Sequence, residues 1–244
     1  MTNLHLEPLG NSISIYVTDS YHFSTDTILL ANFSKPNGKK KCVELGTGCG
    51  TIPLLWCREN KNLEIAAVEI QENACQLAKK SVEYNNLNQN IEIIHSDLKE
   101  LKGKLPFGYY DVVVCNPPYK IGGGGIQNPT DANRIARHET ECTLDDICQA
   151  AASLLQFGGK FCICQRPERL ADVMESMRKF SIEPKTLRLV QQRTSKAPKL
   201  FLLEGRRGGK RGFLNVLPTL LIENDNGEFS EEMMNIYGSY KENY

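Results

Sequence analysis

Cys42-Val43-Glu44-Leu45 leads directly into Gly46-Thr47-Gly48-Cys49-Gly50-Thr51. The first four residues read as a buried strand, and a helical pattern opens at Thr51. Glycines between a strand and a helix let the backbone turn tightly and approach a ligand closely. The spacing is not that of the dinucleotide fingerprint G-x-G-x-x-G, because the third glycine arrives one residue early. Glu44 precedes the loop, where a carboxylate would repel a pyrophosphate and suit a ligand that carries positive charge.

Outward from this loop, short apolar runs alternate with helical patterns. Ile65–Val68, Ile91–His95, Val112–Cys115 and Phe161–Cys164 read as further strands, nearly continuous in apolar residues, as in a parallel sheet buried on both faces. Ala74, Leu77, Ala78 and Val82 share one helix face; so do Leu144, Ile147, Cys148, Ala151 and Leu155, and again Leu170, Val173, Met174 and Met177. Gly158-Gly159 is expected to stop the second of these helices. Strand–helix alternation predicts a doubly wound α/β fold with its ligand beyond the C-terminal ends of the strands. Functional loops are therefore expected after Leu45, Val68, His95 and Cys115. Residues 1–39 read as an N-terminal extension packing on a catalytic core of residues 40–244. That extension holds the alternation Ile13, Ile15, Val17 and the apolar Ile28-Leu29-Leu30. Three runs, Leu187–Val190, Leu200–Leu203 and Leu217–Ile222, are expected to pair antiparallel because their connections are short.

Two acids close the next strands in order. Glu69 follows Val68, 19 residues after Gly50, and is placed to accept hydrogen bonds from both hydroxyls of a ribose. Asp97 ends the third strand, where it can face an adenine edge. A nucleoside with a cationic tail in place of phosphates is S-adenosylmethionine, and Glu44, Gly46, Thr47, Gly48, Gly50, Glu69 and Asp97 are its candidate ligands. After the fourth strand comes Asn116-Pro117-Pro118-Tyr119, two prolines that hold a rigid turn. The Asn116 amide and the Pro117 carbonyl supply two acceptors for the N–H groups of an exocyclic amine, and Tyr119 offers a ring to stack on a planar base. These three are the candidate catalytic residues, with Asn116 also at the cofactor.

Through E-L-G-T-G-C-G and N-P-P-Y the chain resembles the class I methyltransferases that modify planar amines or amides. Phe23-Ser24-Thr25-Asp26, Ile135-Ala136-Arg137-His138-Glu139, Arg166-Pro167-Glu168-Arg169-Leu170 and Lys196-Ala197-Pro198-Lys199 further resemble the bacterial tRNA-valine adenine N6-methyltransferase family, and the similarity runs from Leu6 to about Gly238. The resemblance implies a Rossmann-like, seven-stranded, mostly parallel sheet with one antiparallel strand and helices on both faces. It also implies that Thr25 and Asp26 lie near the methionine end of the cofactor. It implies N6 methylation of an adenine in tRNA, at position 37 beside the anticodon of a valine tRNA. Arg137, His138, Arg166 and Arg169 lie in these segments and are candidate substrate contacts. The tetraglycine Gly122–Gly125 departs from the family pattern.

Charge is segregated within a neutral chain. Ser181–Arg211 carries nine Lys/Arg against two acids, and Gly212–Tyr244 one Lys against six. Such a stretch is either a solvated face or a surface for a polyanion. On the second reading Lys196, Lys199, Arg206, Arg207, Lys210 and Arg211 form a phosphate-contacting loop, kept slim by Gly205, Gly208 and Gly209. A charged fraction of 24% excludes global disorder, and no apolar run approaches the roughly 20 residues of a membrane span. Met1–Gly10 lacks the basic start and apolar stretch of a secretory signal. With nine cysteines, an odd number, this predicts reduced thiols in the cytoplasm. His5, His22, His95 and His138 show no metal-ligand spacing with the cysteines, so no metal is expected. The expected partner is tRNA, with no membrane association and a monomeric chain. Glutamine N5 methylation of a protein, or a non-catalytic RNA-binding module on the same scaffold, are the alternatives.

Overall fold

The strand that feeds the glycine loop lies inside the sheet and is paired on both sides. In the computed structural model, which describes residues 3–118 and 142–238, β1 (Leu4–Gly10) and β2 (Ile13–Thr18) form an antiparallel hairpin. Helix α1 (Thr25–Ser34) precedes β3 (Lys40–Leu45), α2 (Thr51–Glu59), β4 (Leu63–Glu69), α3 (Glu72–Tyr84) and β5 (Ile91–His95). Then come β6 (Tyr110–Cys115), α4 (Leu144–Leu154), β7 (Leu155–Gln165) and α5 (Leu170–Lys179). The chain continues through β8 (Ile182–Gln191), β9 (Pro198–Arg207), the two-residue β10 (Asn215–Val216) and β11 (Leu220–Leu221), and α6 (Glu231–Tyr237).

The seven long strands run in the order β8-β9-β7-β6-β3-β4-β5, and β10 and β11 both pair with the edge strand β8. β3 is parallel to both β4 and β6, so the strand order reverses there. That reversal opens a crevice beyond the ends of β3 and β6. β9 is the antiparallel strand, inserted between β7 and β8. The run Leu217–Ile222 departs from expectation: only Leu220–Leu221 is strand, and it lies parallel to β8. Its connection arches from the far end of β9 back along β8, so short loops do not fix its direction.

Alternate residues of each strand feed two cores. Cys42, Ile65, Val112 and Cys164 pack on one face with Leu29, Trp56 and Ile15 from α1, α2 and the hairpin. The Trp56 indole donates to the Ala31 carbonyl at 3.0 Å, which satisfies its one polar group. Val43, Val113, Phe161 and Ile163 face the other way, against Ile147 and Ala151 of α4 and Val173 and Met177 of α5. A reciprocal capping box between Thr143 and Asp146 starts α4.

Gly158-Gly159 does not stop that helix. α4 ends at Leu154 because Leu155 turns extended and joins the ladder opposite Tyr110. The glycines lie inside β7, in a bulge between the pairs Tyr110–Leu155 and Val112–Lys160. Gly158 has φ +78°, and a Cβ on Gly159 would sit 3.0 Å from the Tyr110 carbonyl oxygen. Gly205 likewise belongs to the interior of β9, where a Cβ would meet Met177 Cε at 2.2 Å.

Candidate active site

A cavity of about 730 Å³ opens over the C-terminal ends of the parallel strands. Its floor is the glycine loop. The Gly46 and Thr47 N–H groups both donate to the Val68 carbonyl, at 2.9 and 3.0 Å, which ties the loop after β3 to the end of β4. Glu69 makes the second tie. Its Oε2 accepts from Gly48 N–H and its Oε1 from Gln71 N–H, both at 2.9 Å. One buried carboxylate thus joins the loops after β3 and β4 and lines the cavity. Gly46 and Gly48 line it with positive φ. Gly50 does not line it. A Cβ there would lie 3.3 Å from Ala78 Cβ, so this glycine lets the start of α2 pack on α3.

Glu44 lies buried beneath the loop, with the Thr47 hydroxyl donating to its Oε2 at 2.5 Å. Burial pushes its carboxyl well above the ordinary 4.5; Thr47 opposes the shift and the Glu69 charge adds to it. Above pH 4.5 the folded chain therefore keeps a proton that the unfolded chain releases. The contribution of Glu44 to stability falls as pH rises from 4.5 through the raised value. Glu44→Gln should remove this slope and stabilise the protein at the upper end of the window. Denaturant midpoints of both proteins against pH measure it; parallel curves would show that Glu44 titrates normally.

Asp97 lines the cavity but is also a cap: its Oδ1 accepts from Lys99 N–H at 2.8 Å, and Lys99 Nζ lies 3.4 Å from Oδ2. Asn116, Pro117 and Pro118 form the wall after β6. The Asn116 amide donates through Nδ2 to the Thr27 hydroxyl at 3.1 Å, which turns Oδ1 into its acceptor side. Asp26 and Thr27 line the cavity from α1. Thr25 does not; its hydroxyl meets that of Tyr237 at 3.1 Å. Tyr119, Arg137, His138 and Gly122–Gly125 lie outside the described residues.

The basic candidates separate. Arg166 and Arg169 line the cavity after β7. Lys196 and Lys199 stand at the start of β9, whose Phe201 pairs with Gln165 at the same end of the sheet. Arg206 pairs with Lys160, at the opposite end. Arg206 holds Glu204 at 2.9 Å, and Arg207 donates to the Ala152 carbonyl at 3.1 Å. Lys210 and Arg211 follow at that far end. The single phosphate-contacting loop read from the sequence is therefore not formed, because β9 carries its two halves apart. The lining also includes residues absent from the sequence reading, Thr27 and Gln165 among them. Gln165 was within reach of it, as the polar residue that closes the apolar run Phe161–Cys164.

A parallel sheet reversing at β3, a glycine loop at the reversal and acidic residues closing the following strands define the class I methyltransferase fold. The chain belongs to the methyltransferase small domain family, which it matches over residues 14–181. It is 30% identical over 138 residues to the tRNA1(Val) (adenine(37)-N6)-methyltransferase of Pedobacter heparinus, covering 57% of this chain and 57% of that protein. The match thus spans little more than half of that relative's length. A protein of the same name from a Flavobacteriaceae bacterium is 27% identical, over 87% of this chain and 82% of its own. Among solved structures, a predicted O-methyltransferase from Agrobacterium tumefaciens superposes with TM-score 0.71 at 17% identity, covering 87% of this chain and 95% of that one.

Proposed function

We propose that the protein transfers a methyl group from S-adenosylmethionine to the exocyclic N6 of an adenine in tRNA. The observation that carries the reading is the Asn116-Pro117 wall, its amide fixed by Thr27, in the same cavity as the glycine loop and Glu69. The residues fit the cofactor. Glu44 is a buried carboxylate that burial keeps short of charge, and a cationic ligand would favour its ionised form. Glu69 keeps lone pairs for ribose hydroxyls beside its two backbone bonds. Asp97 and Asp26 stand at the cavity's sides.

When bound, S-adenosylmethionine supplies an electrophilic methyl group on a positively charged sulfur. The chain supplies placement and electrostatics. The lone pair of an aromatic amine is delocalised into its ring. Acceptors at Asn116 Oδ1 and the Pro117 carbonyl hold the two N–H groups and stabilise the positive charge that grows on nitrogen. A neutral amine attacks first and loses its proton afterward, so this account needs no strong base in the cleft.

The printed names of the relatives support tRNA as substrate and an adenine at position 37 beside the anticodon as target. Nine free cysteines, eight of them buried, suit the reducing cytoplasm. Among the described residues no helix is long and apolar enough to cross a membrane, and no cluster of His, Cys, Asp and Glu can hold a metal. The chain is expected to act as a monomer. The test is product identification: tRNA lacking the modification, labelled cofactor, digestion to nucleosides and mass spectrometry. N6-methyladenosine supports the reading; label on guanine, on protein glutamine or on no RNA overturns it.

Phosphate contact is assigned to the cavity end of the sheet. Replacing Arg166 and Arg169 together by Gln should flatten the salt dependence of tRNA binding by about 1–2 units of slope. Replacing Arg206 and Arg207 should leave that slope unchanged. Filter binding over a salt series decides, and the opposite pattern would return the RNA to the far end.

A further inference from the structure

Gln165 closes β7 with only 3% of its surface exposed, yet it lines the cavity. Its Oε1 accepts from Arg166 N–H at 2.9 Å. Nε2 is then the end of the amide that the side chain can present to the cavity, and no acceptor among the described residues meets it. Buried donors without partners are costly, and native structures seldom keep them without a ligand or water to satisfy them. The sheet gives this donor its neighbourhood. β6 and β7 are parallel, with Cys115 beside Ile163. Continuing that register sets Pro117 beside Gln165. Asn116 points toward α1 and Thr27, while Gln165 shares the opposite face with Phe161 and Ile163. The wall therefore offers two acceptors for an amine and, next to them, one donor.

An adenine edge is the complement of this pattern. Its N6 amine donates two N–H groups, and the ring nitrogens N1 and N7 on either side accept. We propose that Gln165 is a specificity-determining residue that donates Nε2–H to the ring nitrogen beside the target amine, N1 or N7. The inference rests on the adenine N6 reading and names the atom by which the base is recognised. A guanine places an N–H at N1 next to its exocyclic amine. At that position the Gln165 donor would face another donor.

The test uses the full chain and tRNA assembled with the methylated adenosine replaced by 1-deazaadenosine or 7-deazaadenosine. The wild-type protein should lose about 10- to 100-fold in kcat/KM on one analogue and little on the other, which tells N1 from N7. Gln165→Leu should lose a similar factor on unmodified tRNA. It should no longer discriminate between that tRNA and the sensitive analogue, and its affinity for S-adenosylmethionine should be unchanged by calorimetry. Wild-type indifference to both analogues overturns the proposal, as does a variant that keeps the full discrimination. The wild-type arm stands whether or not Gln165→Leu folds. Failure of the wild-type protein to methylate unmodified tRNA overturns the adenine N6 reading itself, and this inference with it.

Discussion

Asn116→Ala should cut methyl transfer by about 10²–10³ while folding and S-adenosylmethionine affinity persist. The size follows from what is lost. An aromatic amine needs its nitrogen drawn toward tetrahedral geometry, and on the proposed mechanism the Asn116 amide would supply one of two acceptors for that work. Its effect belongs in kcat more than in KM, because the charge it stabilises exists only as the bond forms. The structure adds an internal control. Thr27 accepts from Asn116 Nδ2 at 3.1 Å, a contact that on the proposed mechanism would help set which end of the amide faces the amine. Thr27→Val keeps the shape, removes that hydrogen bond, and should give a smaller loss of the same kind. Single-turnover rates under saturating cofactor measure both. An Asn116→Ala enzyme that keeps its rate would remove the wall from the chemistry.

Glu69→Ala should weaken S-adenosylmethionine binding by about 10- to 100-fold, from hydrogen bonds to a charged acceptor worth roughly 1.5–3 kcal/mol. Two losses combine. The ribose hydroxyls lose an acceptor, and the loops after β3 and β4 lose the carboxylate that joins Gly48 N–H to Gln71 N–H. Glu69→Gln separates them, since the amide oxygen can keep one tie while the other position becomes a donor. It should fall between wild type and alanine. Titration calorimetry with a parallel thermal melt checks this; unchanged affinity in the folded alanine variant would place the ribose elsewhere.

Much of this was legible in the chain because the signals are local. The near-continuous apolar runs of β3, β4, β6 and β7 reflect burial on both faces, and the glycine loop, Glu69 and Asn116 each stand at a strand end. What the sequence hid depends on distant partners. Gly158-Gly159 has the form of a helix stop, and only the pairing of Leu155 with Tyr110 makes it a bulge. Thr25 and Thr27 are two residues apart, about 200° around a helix, so one hydroxyl meets Tyr237 while the other meets Asn116. The basic stretch reads as one cluster along the chain. Its ten-residue strand spans roughly 33 Å, and strand direction alone decides which charges stand near the cavity.

The carboxylate beneath the glycine loop bears on how the proposed enzyme clears its product. On the proposed reaction, Glu44 would gain a counter-charge when a cationic sulfur enters and lose it once the sulfur is neutral. On that reading its proton would return, and the cavity would no longer favour the spent molecule electrostatically. The same buried acid whose raised pKa predicts a stability loss above pH 4.5 would then bias exchange toward fresh cofactor. A tighter hold on the charged donor than on its neutral by-product would then be the expected consequence of one buried side chain.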